Sequence, residues 1–219
     1  MPRDTRILYL VVGERLFSAH GYRDVNIEEI SRAAGFGTGN FYNYFQSKED
    51  FYTEILDRIE ERGIREATRL VSRLQSPLNK LKALYHFTTL GIRQNRLLLG
   101  TLVGDDKYLY PGSELRCRRK QCLRTHIEGM IREIIDEGMQ KRVFRSGIFR
   151  DPTRMVSSIY QGILIGIDRG ESDDLLHDIL LLMSRGLKRR FRLRKRDERR
   201  DRRINDRHYT DARLYRINP

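Results

Sequence analysis

The sequence predicts an all-α protein, a short N-terminal three-helix segment followed by a larger domain of longer helices. Three observations carry this. Apolar residues recur at helical spacing in almost every segment. No stretch shows sustained period-two alternation with β-branched enrichment, so no sheet is expected. Proline is confined to Pro2, Pro77, Pro111, Pro152 and Pro219, and the middle three fall where one helix should give way to the next. The expected division is residues 1–50, residues 51–190, and a basic, disordered tail at 191–219.

The first helix is expected from Asp4 to Ala19. Tyr9, Gly13, Leu16, Phe17 and His20 share one face of it, Leu8 and Val11 widen its apolar arc, and Gly21 is a natural stop. Asn26 caps a second, short helix, with Glu29 three residues on as in a capping box. Ile27, Ile30 and Ala34 should point inward, and Gly35 ends the helix. Thr38 to Tyr44 makes one or two turns of a third. Ser47-Lys48-Glu49-Asp50 opens a fourth, whose buried stripe is Phe51, Ile55, Leu56 and Ile59.

Longer helices follow. One spans Leu78 to Arg93, a short one Leu97 to Leu102, and a loop with Gly104, Pro111 and Gly112 comes next. Ser113 caps a helix to Glu137. Asp151-Pro152 reads as an N-cap with proline in the first turn, starting a helix to Asp168. Ser172 opens the last, to Leu187. From Lys188 the chain is arginine-rich with unpatterned apolar residues, the composition of a disordered tail.

Charge excludes less than it promises. The net charge is +13 over 219 residues, but residues 1–50 carry −1, residues 51–187 carry +5 and residues 188–219 carry +9. No apolar run nears the roughly 18–20 residues that cross a bilayer, and no signal-peptide cleavage pattern is present. Cys117 and Cys122 are too few for a disulfide framework and, five apart on a helix, are read as inert thiols. A cytoplasmic location is expected. The five histidines lack ligand spacing, and there is no phosphate loop, nucleophile elbow or clustered carboxylate pair. No enzyme, cofactor or metal is expected.

Residues 23–45 have the proportions of a helix-turn-helix, two short helices joined by a glycine-containing turn. In that arrangement the first helix braces the second, whose end enters a major groove about 12 Å wide. The presumed reading helix is Thr38-Gly39-Asn40-Phe41-Tyr42-Asn43-Tyr44-Phe45. Phe41 and Phe45, four apart, are its buried face. Thr38, Asn40, Tyr42 and Asn43 are uncharged hydrogen-bonding groups. An asparagine can bridge adenine N6 and N7, and a threonine methyl can touch that of thymine. Tyrosine hydroxyls and Lys48 suit phosphate oxygens, as do the amides of the helix start. Gly37 and Gly39 allow close backbone approach.

Residues 6–56 resemble the DNA-binding domain of the tetracycline-repressor (TetR) family. The matching string is Leu16-Phe17, Gly21-Tyr22, Ile27, Ile30, Ala34-Gly35, Gly39, Tyr42, Tyr44-Phe45 and Ser47-Lys48-Glu49, without a gap. It departs from the family at Asn26 for threonine, Ser31 for alanine and Gly37 for serine. The lost serine hydroxyl weakens that cap by a few tenths of a kcal/mol. The resemblance implies Asn26, Tyr42, Tyr44 and Lys48 at phosphates, and Thr38, Gly39, Asn40 and Asn43 near bases. The bland alternative for Tyr42 and Tyr44 is packing.

The resemblance further implies a C-terminal helical ligand-binding and dimerisation domain, and a repressor released from a palindromic operator by a small-molecule effector. Candidate ligand residues are Tyr85, Leu102, Tyr108, Tyr110 and Tyr160, apolar bodies with polar tips among ordinary core. Arg93 or Arg96 could pair an anionic ligand. Ser158, Gly162, Gly166 and Gly170 recur every four residues. With Leu176, Ile179, Leu180 and Met183 they suggest a four-helix homodimer contact, against the alternative of close packing inside one subunit. The partners expected are double-stranded DNA, an effector and a second copy, with no membrane. Two other readings stay open: an adaptor whose arginine-rich tail binds acidic lipid or RNA, and a catalytic helical domain, which would need a clustered polar pocket.

Overall fold

A computed structural model describes residues 2–110, 123–145, 150–170, 178–179, 181–182 and 185–187. Eight helices stand among them: α1 (Pro2–Asp24), α2 (Ile27–Ala33), α3 (Thr38–Phe41), α4 (Lys48–Ser72), α5 (Pro77–Gln94), α6 (Arg96–Val103), α7 (Leu123–Gln140) and α8 (Pro152–Asp168). The remaining described residues from 178 to 187 are helical. No strand occurs among the described residues. The expected starts at Ser113 and Ser172, both cysteines and the tail beyond Lys188 lie outside them.

The helix ends follow local chemistry. The Asn26 side chain accepts from the Glu29 amide at 2.8 Å, Ser47 Oγ from the Asp50 amide at 3.1 Å, and Asp151 from the Arg154 amide at 2.8 Å, with Pro152 in the first turn. Asn95 caps α6 in the same way, and Gly104 closes it in the left-handed region. Each cap satisfies an amide that the helix leaves without a partner. Gly21 breaks the helical path of α1 at φ 84°, ψ 177°, at the stop expected there.

The chain divides into two compact units. The first holds residues up to Arg62 and returns with Asn95 and the residues after it. Its core is aromatic: Tyr9, Phe17, Phe41, Phe51 and Tyr52 are fully buried, and Tyr22 and Phe45 nearly so. His20, Leu8 and Ile7 are exposed, so the apolar arc of α1 is narrower than its composition implies. Arg6 pairs through both guanidinium ends with Glu54 and stacks over Phe45, fastening α1 to α4.

Residues 105–110 also belong to this unit and strap its α1 and α4. Lys107 offers its carbonyl to the Tyr22 amide at 2.8 Å and its ammonium to the Ala19 carbonyl at 3.3 Å. The Tyr108 hydroxyl donates to the Ser18 carbonyl, Tyr52 donates to the Tyr108 carbonyl, and Thr53 donates to the Tyr110 hydroxyl. A side chain at Gly21 would strike Lys107, and one at Gly100 would strike the Tyr108 ring. By packing, the first unit takes in the early part of α4 and the α6 region.

The second unit packs α5, α7 and α8 on one another. Leu81, Leu84 and Tyr85 of α5 meet the buried stripes Ile127, Ile131, Ile134 and Ile135 of α7 and Val156, Tyr160, Ile163 and Leu164 of α8. Burying each such side chain is worth about 1.5–3 kcal/mol. Lys80 and Lys141 both pair with Glu137. After α7 the chain turns through Arg142 at φ 57°, and the Phe144 ring fills the space over Gly138.

Candidate nucleic-acid interface

The helix-turn-helix is α2, a turn through Gly35, and α3. Gly35 takes φ 82°, a conformation that side chains rarely adopt, so glycine is needed to reverse the chain there. The recognition segment is a single turn, Thr38–Phe41, continued by turn structure to Tyr44. Its N-cap, Gly37, makes no side-chain bond.

Rigidity comes from beneath. Phe41 meets Tyr9 at 5.6 Å and Phe51 at 5.1 Å between ring centroids, both edge-on, and lies 5.2 Å from Phe45. Such contacts add about 0.5–1.5 kcal/mol each beyond the burial of area. The predicted i, i+4 pair Phe41 and Phe45 is thus the face that anchors the segment.

What the anchor leaves outside is the candidate surface. Thr38, Gly39, Tyr42 and Asn43 are exposed, Tyr42 to 56%. A Cβ at Gly37 or Gly39 would touch nothing within 4 Å, so the backbone is bare there. Tyr44 is half-buried, its ring 6.0 Å from that of Tyr9 and 6.5 Å from that of Phe45, which favours packing for this tyrosine. Asn26 is exposed and spends its side-chain oxygen on the cap of α2. Asn40 is half-buried, and its Oδ1 accepts from the Tyr9 hydroxyl at 3.2 Å.

Lys48 is held more closely than its sequence suggests. Its Nζ sits 4.3 Å from the centre of the Tyr22 ring, a cation–π contact. The Tyr22 hydroxyl donates to Glu49 at 2.6 Å. Burial pushes the Tyr22 phenol well above its ordinary range, and the Glu49 hydrogen bond and charge push it further. The same hydrogen bond is the main reason the Glu49 carboxyl titrates low. Burial lowers the Lys48 ammonium, opposed by the charges of Glu49 and Asp24. Tyr9, Tyr22 and Glu49 thus shape the surface without being read in the sequence as part of it. The early signals were that Tyr9 lies on the buried face of α1 and that Tyr22 and Glu49 stand in the string that resembles the family.

The candidate ligand residues part company. Tyr85 and Tyr160 lie in the second unit, ring centroids 5.5 Å apart and edge-on, with the Tyr85 hydroxyl donating to the Val156 carbonyl at 2.6 Å. Leu102, Tyr108 and Tyr110 lie in the first, where the two tyrosines strap α1 and α4. No cluster of all five forms within either unit. Of the residues expected at a dimer contact, Ser158 and Gly162 are exposed, and Ile165 beside them is 47% exposed. Gly166 is buried inside its own unit. A four-residue step advances about 400° along a helix, so such a series drifts off its stripe by about 40° each time. Ile179 is half-buried, and Leu176, Leu180 and Met183 lie outside the described residues.

Among the described residues no helix is long and apolar enough to cross a membrane, and no group of three or more histidine, cysteine or acidic residues is placed to hold a metal ion.

Residues 10–55 match the family described as bacterial regulatory proteins, tetR family. The chain is 40% identical over 50 residues to an uncharacterized HTH-type transcriptional regulator, YwcC, of Bacillus subtilis, covering 23% of this chain and 22% of that protein. It is 38% identical over 55 residues to the HTH-type transcriptional repressor NemR of Escherichia coli, covering 25% and 28%. The match therefore spans about a quarter of the length of these curated relatives. The crystal structure of the transcriptional regulator FadR from Bacillus subtilis in complex with stearoyl-CoA superposes with a TM-score of 0.64, covering 83% of this chain and 98% of that one. At 19% identity this likeness concerns the fold. Residues 10–55 are thus similar, over the helix-turn-helix, to the tetR family of bacterial regulatory proteins, and the chain shares the all-helical fold of FadR.

Proposed function

We propose that this chain is a dimeric transcriptional regulator, a repressor that reads a palindromic operator and is released by a small molecule. The observation that carries the reading is the exposed, uncharged hydrogen-bonding surface of Thr38, Tyr42 and Asn43 over bare glycine backbone, anchored by the buried Phe41 and Phe45. Thr38, Gly39, Asn40 and Asn43 lie near bases, Tyr42 meets a phosphate, and Asn26 and Lys48 flank them on the backbone. Base edges supply specificity and phosphates supply register. The reading functions belong to residues 1–50 and the sensing and pairing functions to 51–190. Two copies meet through the exposed Ser158, Gly162 and Ile165 face of α8, since a twofold operator needs a twofold protein. The effector binds beside Tyr85 and Tyr160, and must favour the DNA-incompetent form about 10⁴-fold for complete release.

The test is a mobility shift of the full chain on duplexes from the DNA flanking its own gene, with unrelated duplex as competitor. Retardation that resists competitor supports the reading, and retardation that any duplex abolishes equally refutes it. Tyr42→Ala and Asn43→Ala should each lose the resistant complex while the protein stays folded and dimeric by light scattering.

A further inference from the structure

The polar group nearest the heart of the recognition segment is also the one with least freedom. Asn40 stands within α3, half-buried, with Oδ1 at 3.2 Å from the hydroxyl of Tyr9. Tyr9 is 0% exposed, and its phenol must place its proton on a protein acceptor. The Ser31 hydroxyl, 1% exposed, is the other polar group close to Tyr9. The geometry gives the Tyr9 proton to Asn40. This fixes the side chain. A carboxamide has one accepting oxygen and one donating amino group on opposite arms. With the oxygen drawn inward to Tyr9, the arm left for a partner is the amino group.

We infer that Tyr9 sets the base preference of this protein by turning Asn40 into a hydrogen-bond donor that selects guanine at one operator position. The inference rests on the DNA-reading assignment above. In a major groove, guanine offers two adjacent acceptors, O6 and N7, to a donating amino group. Cytosine offers only its N4 donor, adenine sets an N6 donor beside its N7 acceptor, and thymine offers the single acceptor O4 beside its methyl group, so only guanine presents two acceptors side by side to both amino hydrogens. Adenine is matched by an asparagine that shows both arms, which is the arrangement Tyr9 removes. Tyr9 thus acts as a positioning residue: it reaches no base, and it decides which arm of Asn40 does.

The experiment is selection of bound sequences from randomised duplexes by the full-length wild type, Tyr9→Phe, Asn40→Ala and Asn40→Asp, with thermal unfolding of each followed by circular dichroism. The position read by Asn40 is the one whose preference vanishes in Asn40→Ala. In the wild type it should be guanine. In Tyr9→Phe, whose fold keeps its ring, the preference for guanine over adenine should fall by about tenfold, the worth of one base contact. Asn40→Asp, with acceptors only, should move the preference towards cytosine or adenine. A wild-type preference for adenine, cytosine or thymine there, or a Tyr9→Phe profile identical to the wild type, overturns the inference while leaving the DNA reader intact. No enriched sequence with the wild type overturns both.

Discussion

The Tyr52 hydroxyl on α4 donates a 2.7 Å hydrogen bond to the main-chain carbonyl of Tyr108, and both residues are buried. Two parts of the chain 56 positions apart are joined there by a group that has no water to fall back on. Tyr52→Phe keeps the ring, which packs edge-on against Phe17, and deletes the donor. Leaving a buried carbonyl unpaired costs about 1–3 kcal/mol. The thermal midpoint should fall accordingly, with the helical content of the folded state unchanged by circular dichroism.

Gly21→Ala should be more damaging than a methyl group suggests. The residue sits at φ 84°, and a Cβ would meet the Lys107 main-chain oxygen as well as its side chain. Backbone strain at such a position costs about 1–3 kcal/mol. The contact with Lys107 adds to it, so chemical denaturation should show a lowered midpoint. Restoring the side-chain space by Lys107→Ala should recover only part of the loss, because the oxygen and the φ angle remain.

Arg142 offers the opposite case. It takes φ 57° just beyond α7, is exposed, and is not a glycine. Arg142→Gly relieves the left-handed strain and loses some chain entropy, for a net gain of about 0.5–1 kcal/mol. A rise in the thermal midpoint is the expected outcome, and a fall would show that the arginine side chain does more there than its exposure indicates.

These sites show what was readable beforehand. Caps were readable because they are local: Asn26 with Glu29, Ser47 with Asp50 and Asp151 with Pro152 announce themselves within four residues. Phe41 and Phe45 were readable for the same reason. The role of Tyr108 was not. A tyrosine that lines a pocket and one that braces two helices have the same composition and spacing, and only the return of residues 105–110 to Ser18–Tyr22 separates them. Lys48 likewise reads from sequence as a phosphate contact in a capping sequence, whereas Tyr22, 26 positions earlier, supplies the face on which it rests. Gly166 falls off the exposed stripe of Ser158 and Gly162 because a four-residue repeat does not match 3.6 residues per turn.

Alkaline solution should expose the second unit's weakness. Burial pushes the Tyr160 phenol up to about 12, offset in part by Thr88 and Arg124, and raises Tyr85 further. Their unfolded counterparts titrate near the ordinary 10.0. A folded pKa above the unfolded one means that stability is complete below pH 10 and is lost as pH rises through 12. The midpoint of urea unfolding should therefore decline from pH 10 upward. Tyr160→Phe should flatten that decline, and an unaltered slope would exclude Tyr160 as a contributor.

The strap formed by residues 105–110 sets an order of events during synthesis. Lys107 and Tyr108 bond to Ala19 and Ser18, 88 and 90 positions earlier. A ribosome adding about 5–20 residues per second reaches Tyr108 roughly 2–9 s after Arg62. For that interval the Ala19 and Ser18 carbonyls and the Tyr22 amide must be served by water. Helix α5, which belongs to the second unit, is translated before the first unit can close. The first unit is therefore finished out of sequence order, and a chain stalled between Arg62 and Asp105 would present its aromatic core only partly covered.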